Sequence, residues 1–145
     1  MGDISKDIQM QFSNNKMKAL LNIMYTASWI SSRENAFFKP FGISPQQFNV
    51  LRILRGAGKP MAVQSIKERM IDRNPNTTRL MDKMCAKNLI ERIACESDRR
   101  VVHIEITQKG LSLLQKIDDN KPLDWLKNLS DKEAALLSDL LDKIR

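Results

Sequence analysis

Two hydrophobic periods meet inside one short stretch of this chain, and their order restricts the fold. Thr77, Leu80, Met81 and Met84 recur at helical spacing, whereas Val102, Ile104 and Ile106 alternate with Val101, His103 and Glu105 at the strand period of two. The segment "LIERIAC", Leu89 to Cys95, reads as the partner strand, and Asp98-Arg99-Arg100 falls at the tip between them. Upstream, one short helix is expected from Val63 to about Ile71 and another from Pro75 to about Lys87. Asp72-Arg73-Asn74 joins them, with Asn74 as N-cap and Pro75 as first helical residue. Two helices joined by roughly three residues form a helix-turn-helix. A helix-turn-helix followed by a hairpin is a winged helix, and the charged triplet lies in its wing. The fold class is therefore mainly α with a small β-hairpin wing, an α+β arrangement.

The flanking segments read as helices. Asn14 or Asn15 can cap a first helix running to about Phe38. That helix carries one apolar stripe at Met17, Leu20, Leu21, Met24 and Ala27 and a second at Ile23, Ile30 and Phe37, so it needs two partners. In "GISPQQFNVLRIL", Ser44 is the N-cap, Pro45 the first helical residue, and Gln47 closes a capping box. Ile43 and Phe48 form the hydrophobic staple, Leu51 and Leu54 face inward, and Gly56 and Gly58 end the helix. Asn88 is placed to take the left-handed cap after the second short helix. Thr107 caps a helix carrying Leu111, Leu114 and Ile117, which Pro122 interrupts. "PLDWLKNL" follows as a helical turn or loop. Ser130 and Glu133 form another capping box, and the last helix puts Leu137, Leu140, Leu141 and Ile144 on one face with Leu136 beside them. The organisation expected is 1–40 as part of a dimerisation region, 41–109 as the winged domain, and 110–145 as the rest of the dimerisation region.

Charge narrows the function. The 145 residues carry a net +7, and a 42% apolar content is enough for a core. Between Arg52 and Lys109 there are 13 Lys/Arg against 7 Asp/Glu, a net +6 that leaves only +1 for the rest of the chain. A basic middle segment points to an acidic partner. The N-terminal "MGDISKDIQMQFSNN" lacks the apolar core of a signal peptide, and no apolar run reaches membrane-spanning length. A cytoplasmic protein without membrane partners is expected. Cys85 and Cys95 are too few for a metal knuckle, and His103 is the single histidine, so no metal and no cofactor are expected. No nucleophile–base pair or phosphate loop supports an enzyme.

Double-stranded DNA fits the charge and the fold together. The major groove admits one α-helix whose first turns reach base edges. Arg79 can offer a guanine its two-pronged fork, while Asn76 and Thr78 can meet bases or phosphates. Lys83 and Arg73 suit phosphates. An arginine at the wing tip can enter a narrow minor groove, so Arg99 and Arg100 join the candidate set, with Asp98 orienting Arg100 beforehand. Met17, Leu20, Leu21, Leu137, Leu140, Leu141 and Ile144 on the terminal helices are the expected interface of a twofold homodimer. Such a dimer presents two recognition helices about one turn of DNA apart.

The run from Asn76 to Gly110, "NTTRLMDKMCAKNLIERIACESDRRVVHIEITQKG", resembles the MarR family of bacterial transcription regulators. Arg79, Asp82, Leu89, Ile90, Glu91, Arg92, Asp98, Arg100, Thr107 and Gly110 fall in step with its pattern, and "ISPQQFNVLRIL" and "AVQSIKERM" match the helices before it. Asn88 stands where glycine is usual, and Pro122 breaks the long penultimate helix. The resemblance implies an obligate homodimer on a pseudo-palindromic promoter site, usually a repressor, in the bacterial cytoplasm and at the nucleoid when DNA-bound. It gives Arg79 the base-reading role and Arg100 the minor-groove role. It also implies release by a small phenolic or carboxylate ligand or by cysteine oxidation. The peroxide-sensing members place a cysteine in the first helix, where "LLNIMYTASWISSRENAFF" has none. Trp29, Arg33, Phe37, Phe48 and Arg52 are the expected lining of a ligand pocket, the arginines for a carboxylate and the rings for an aromatic body. The competing class is a winged-helix protein–protein adaptor, which has no reason to concentrate positive charge on one segment.

Overall fold

Local capping chemistry sets the helix ends, and the hydrophobic periods set which faces meet. The computed structural model describes residues 2–73, 76–120 and 125–145. A short helix not anticipated from the sequence, α1 (Ile4–Asp7), opens the chain and buries Ile4, with Asp3 accepting the Ser5 N–H at 3.1 Å. In α2 (Asn15–Phe38), Asn14 is the cap and its Oδ1 accepts the Met17 N–H at 2.8 Å. A 3-10 turn (Lys39–Phe41) follows, and Gly42 at φ 71° turns the chain into α3 (Pro45–Ala57). Both halves of the α3 capping box form: the Gln47 N–H donates to Ser44 Oγ at 3.2 Å, and the Ser44 N–H donates to Gln47 Oε1 at 3.3 Å. The helix passes through Gly56 and stops at Gly58.

Then come β1 (Met61–Ala62), α4 (Val63–Arg69), α5 (Thr77–Ala86), β2 (Ile90–Ala94), β3 (Val102–Ile106), α6 (Gln108–Asp119) and α7 (Asp131–Asp142). Two ends differ from expectation. α4 stops at Arg69 because Met70 takes extended backbone and turns into the core, leaving Ile71 86% exposed. α5 begins at Thr77 with Asn76 at its cap, two residues later than the expected start at Pro75. Asn74 and Pro75, expected as cap and first residue, lie outside the described residues, as does the expected break at Pro122.

The sheet is antiparallel in the order β1-β3-β2, with Met61 opposite Ile104 and Ile90 opposite Ile106. Ile104 is wholly buried at its centre. Val102 stays exposed because the hairpin runs out past the core toward the wing. β1 was missed because two residues are too few to display a period. Leu51, Leu54, Ile66, Met81, Met84, Ile90 and Ile104 close the core, and α6 adds Leu114 and Ile117. Each such side chain contributes about 1.5–3 kcal/mol by burial. Gly110 permits the close approach of α6, since a Cβ there would run into the Leu89 carbonyl and lie 2.8 Å from Ile106 Cγ1. Asn88 takes φ 56°, the left-handed cap expected of it, and its carbonyl accepts the Thr107 hydroxyl at 2.7 Å.

The outer helices are less complete. α2 buries only Phe38 of its 24 residues, and α7 buries none. Among the described residues no helix is long and apolar enough to cross a membrane.

Candidate nucleic-acid interface

α5 turns its apolar residues inward and its polar ones out. Thr77, Met81 and Met84 are buried, Leu80 is half-buried, and Asn76, Thr78, Arg79, Asp82 and Lys83 are exposed. This is the division the helical period predicts. Arg79 and Lys83 border a groove of about 300 Å³ with Gln46 and Met70, so the first turns of α5 stand open beside the start of α3. Arg73 is exposed in the connection before α5.

The wing is a hairpin whose ladder is prolonged by the Cys95 N–H donating to the Val101 carbonyl at 3.2 Å. Inside the tip, the Val101 N–H donates to the Asp98 carbonyl at 3.1 Å. Asp98, Arg99 and Arg100 are all exposed. The Asp98 carboxylate accepts the backbone N–H of Arg100 at 3.0 Å rather than its guanidinium. Asp98 therefore shapes the turn that carries Arg100, and the expected side-chain brace is corrected to a backbone one.

Three ion pairs form among the described residues: Arg55 with Asp118 at 2.6 Å, Arg92 with Asp82 at 2.6 Å, and Arg145 with Asp142. None uses Arg73, Arg79, Lys83, Arg99 or Arg100. The cations assigned to DNA thus lack an internal carboxylate partner among the described residues. Asp82–Arg92 ties α5 to β2, fixing the helix against the base of the wing. Its hydrogen bond holds the Arg92 guanidinium above its ordinary pKa. Sequence reasoning gave this pair no role, although both residues fell in step with the family pattern. It also missed Lys87, whose Nζ donates to the Gly42 carbonyl at 2.6 Å and to Gln47 Oε1 at 3.1 Å.

The five expected pocket residues separate into different places. Phe37 and Phe48 flank Phe38 in a ring cluster against the core, with centroid separations of 5.0 and 4.6 Å. Trp29 and Arg33 lie on an open face of α2, the guanidinium 4.2 Å from the indole centroid and Trp125 edge-on to Trp29 at 6.0 Å. Arg52 donates to Asn49 Oδ1 at 3.0 Å on α3. The ring cluster is thus core packing, which aromatic residues at helical spacing commonly provide.

Cys85 and Cys95 are both partly exposed and form no disulfide. The Cys95 thiol is held below its ordinary pKa, first by the Ser97 hydroxyl at 3.1 Å and then by the backbone N–H groups of Asp98 and Ser97. Among the described residues no cluster of His, Cys, Asp or Glu could hold a metal.

Known proteins share this arrangement. The MarR family profile matches residues 43–102. The transcriptional regulator MhqR of Bacillus subtilis is 30% identical over 118 residues, covering 79% of this chain and 81% of its own. The multiple antibiotic resistance protein MarR of Salmonella typhimurium is 32% identical over 114 residues, covering 76% of this chain and 78% of its own. A mutant Escherichia coli MarR complexed with operator DNA has the same fold, with a TM-score of 0.74 at 24% identity over 92% of this chain and 99% of that one. AbsC of Streptomyces coelicolor reaches 0.81 at 18% identity, over 93% and 95% respectively.

Proposed function

The chain belongs to the MarR family of winged helix-turn-helix, DNA-binding transcriptional regulators, and from that premise we propose that it is a homodimeric repressor of a pseudo-palindromic promoter site. The observation that carries this reading is positive charge with no ion-pair partner among the described residues on both elements that can enter a groove, Arg79 and Lys83 on α5 and Arg99 and Arg100 on the wing. Arg79 reads a base edge in the major groove, with Asn76 and Thr78 beside it. Lys83 and Arg73 hold phosphates. Arg100 enters the minor groove from a turn shaped by Asp98.

The second protomer covers the exposed Met17 and Leu20 on α2 and Leu137, Leu140 and Ile144 around α7, with the half-buried Leu21 and Leu141 beside them. Residues 1–40 and 110–145 form the dimerisation region and 41–109 the DNA-binding domain, with α6 joining the two by burying Leu114 and Ile117 in the winged core. A small aromatic or carboxylate ligand controls the affinity for DNA. The protein works in the bacterial cytoplasm and at the nucleoid.

Arg79→Ala tests the reading directly. Binding should become weak, salt-sensitive and indifferent to sequence, with about 1–3 kcal/mol lost per half-site. Unchanged sequence preference would remove Arg79 from base reading. Arg100→Ala should lose most affinity on A·T-rich flanks, where the minor groove is narrow. An equal loss on G·C-rich flanks would contradict insertion into that groove.

A further inference from the structure

Exposed apolar side chains are not spread evenly over the winged domain. Among its described residues three large ones stand exposed, Ile71, Val101 and Val102. Val101 and Val102 follow Arg100 on the wing, and Ile71 lies in the connection that leads into α5. Single exposed apolar residues are common on protein surfaces. Here all three fall on the elements assigned to DNA, and Ile71 is the most exposed of them at 86%.

Backbone geometry puts Ile71 outside. Met70 ends α4 in extended backbone with its side chain buried. Along extended backbone successive side chains point to opposite sides, so burial of Met70 turns Ile71 toward solvent. Met70 also lines the groove bordered by Asn76, Arg79 and Lys83. Ile71 is the next residue, its Cα about 3.8 Å farther along the chain. The two residues after it, Asp72 and Arg73, are exposed and charged. Ile71 is therefore a lone apolar group among polar ones, at the edge of the surface that faces the major groove. A protein partner would bury a contiguous apolar patch, which Asp72 and Arg73 interrupt. The major groove instead displays single apolar groups among its donors and acceptors, the C5-methyls of thymine.

We propose that Ile71 reads a thymine methyl in each half-site, beside the base edge that Arg79 reads. The inference deepens the DNA-binding reading and rests on it. Contact takes the methyl and the isoleucine side chain out of water together, which is favourable in proportion to the area covered. A cytosine at that position offers an amino donor and no methyl. Ile71 has no acceptor for that donor, and covering it without one is unfavourable. One neutral side chain thus favours thymine and disfavours cytosine, in a region where the other contacts are made by charged or polar groups.

The test uses the full chain and a duplex recovered by selection from random DNA. Each thymine of a half-site is replaced in turn by deoxyuridine, which removes only the methyl group. One position should weaken binding about fourfold per half-site, the worth of one buried methyl-sized group. In the Ile71→Ala chain that same position should become indifferent to the methyl, while affinity for the thymine duplex falls by about as much. Salt dependence should match that of the unsubstituted chain, because no charge is removed, whereas Arg73→Ala should lower the slope by about one. Thermal unfolding of the Ile71→Ala chain should be unchanged, since the side chain packs on nothing in the fold. An Ile71→Ala chain that kept the full methyl effect would assign that effect to another side chain, Thr78 first, and overturn the role of Ile71. A selected half-site without thymine, or deoxyuridine tolerated at every position, would overturn it as well. These outcomes are read on a duplex that the unsubstituted chain binds. They are thereby distinct from failure of the DNA-binding reading, which would show as no selected sequence at all and would remove this inference with it.

Discussion

Leu51 in α3 and Leu140 in α7 are the same residue on the same kind of helix, yet one is fully buried and the other 52% exposed. The winged domain closes its apolar faces within one chain. α3, α4, α5, the three-stranded sheet and α6 each supply a face that the others cover. The flanking helices do not. α2 leaves Met17, Leu20 and Met24 at 42%, 53% and 60% exposure, and Leu136 in α7 at 60%. Helix formation is satisfied in both regions, since both have capping boxes or side-chain caps. What differs is the location of the packing partner. A helix gains most of its stability in a protein from burying an amphipathic face, so α7 needs a surface that a single chain does not provide. In the homodimer proposed above, a second copy would supply it.

The largest effect that separates the two regions is in the core. Leu51→Ala should cost about 2–5 kcal/mol, read as a lower urea midpoint, and the cost should be the same at every protein concentration. A smaller loss that grew on dilution would mean the winged domain also depends on a partner. Next comes the interface. Leu137→Glu with Leu140→Glu should leave the winged fold intact by circular dichroism but shift sedimentation to the monomer, since each leucine forfeits about 1.5–3 kcal/mol of burial. Unchanged sedimentation would place the interface elsewhere. The smallest effect is at the start of α7. The Glu133 carboxyl is held below its ordinary pKa by the Ser130 hydroxyl and backbone N–H. A depressed folded-state pKa adds stability above the ordinary carboxylate range that is lost as pH falls through the depressed value. Ser130→Ala should therefore move the Glu133 titration up toward its ordinary value by NMR. A titration that did not move would show that the capping box is not formed.

The same contrast explains what could be read from the sequence. Capping signals are local, so Ser44, Thr107 and Ser130 are legible as caps, and Asn14 as one of two neighbouring candidates. The winged core was legible because its hydrophobic periods are long enough to count. β1 was not, because it has two residues. The end of α4 was not, because Met70 leaves the helix to reach the core, which is a tertiary event. The outward face of α5 was legible from period alone, while Asp82–Arg92 and Lys87–Gly42 join residues 10 and 45 positions apart. Asp98 was correctly placed at the wing tip, but the sequence did not distinguish a backbone acceptor from the guanidinium as its partner. Of the five residues expected to line one pocket, Phe37 and Phe48 pack in the ring cluster while Trp29 and Arg33 line an open hollow on α2, since residue type and helical spacing do not separate a lined cavity from a filled one.

The measurement that bears most directly on a dimer built from open arms and a closed winged domain is selection from random duplex DNA with the purified full chain at near-physiological salt. An inverted repeat with half-sites about 10 bp apart is the predicted result, because two recognition helices related by a twofold axis read the same bases on opposite strands. Recovery of single half-sites, or of no motif with binding that vanishes as salt rises, would contradict it.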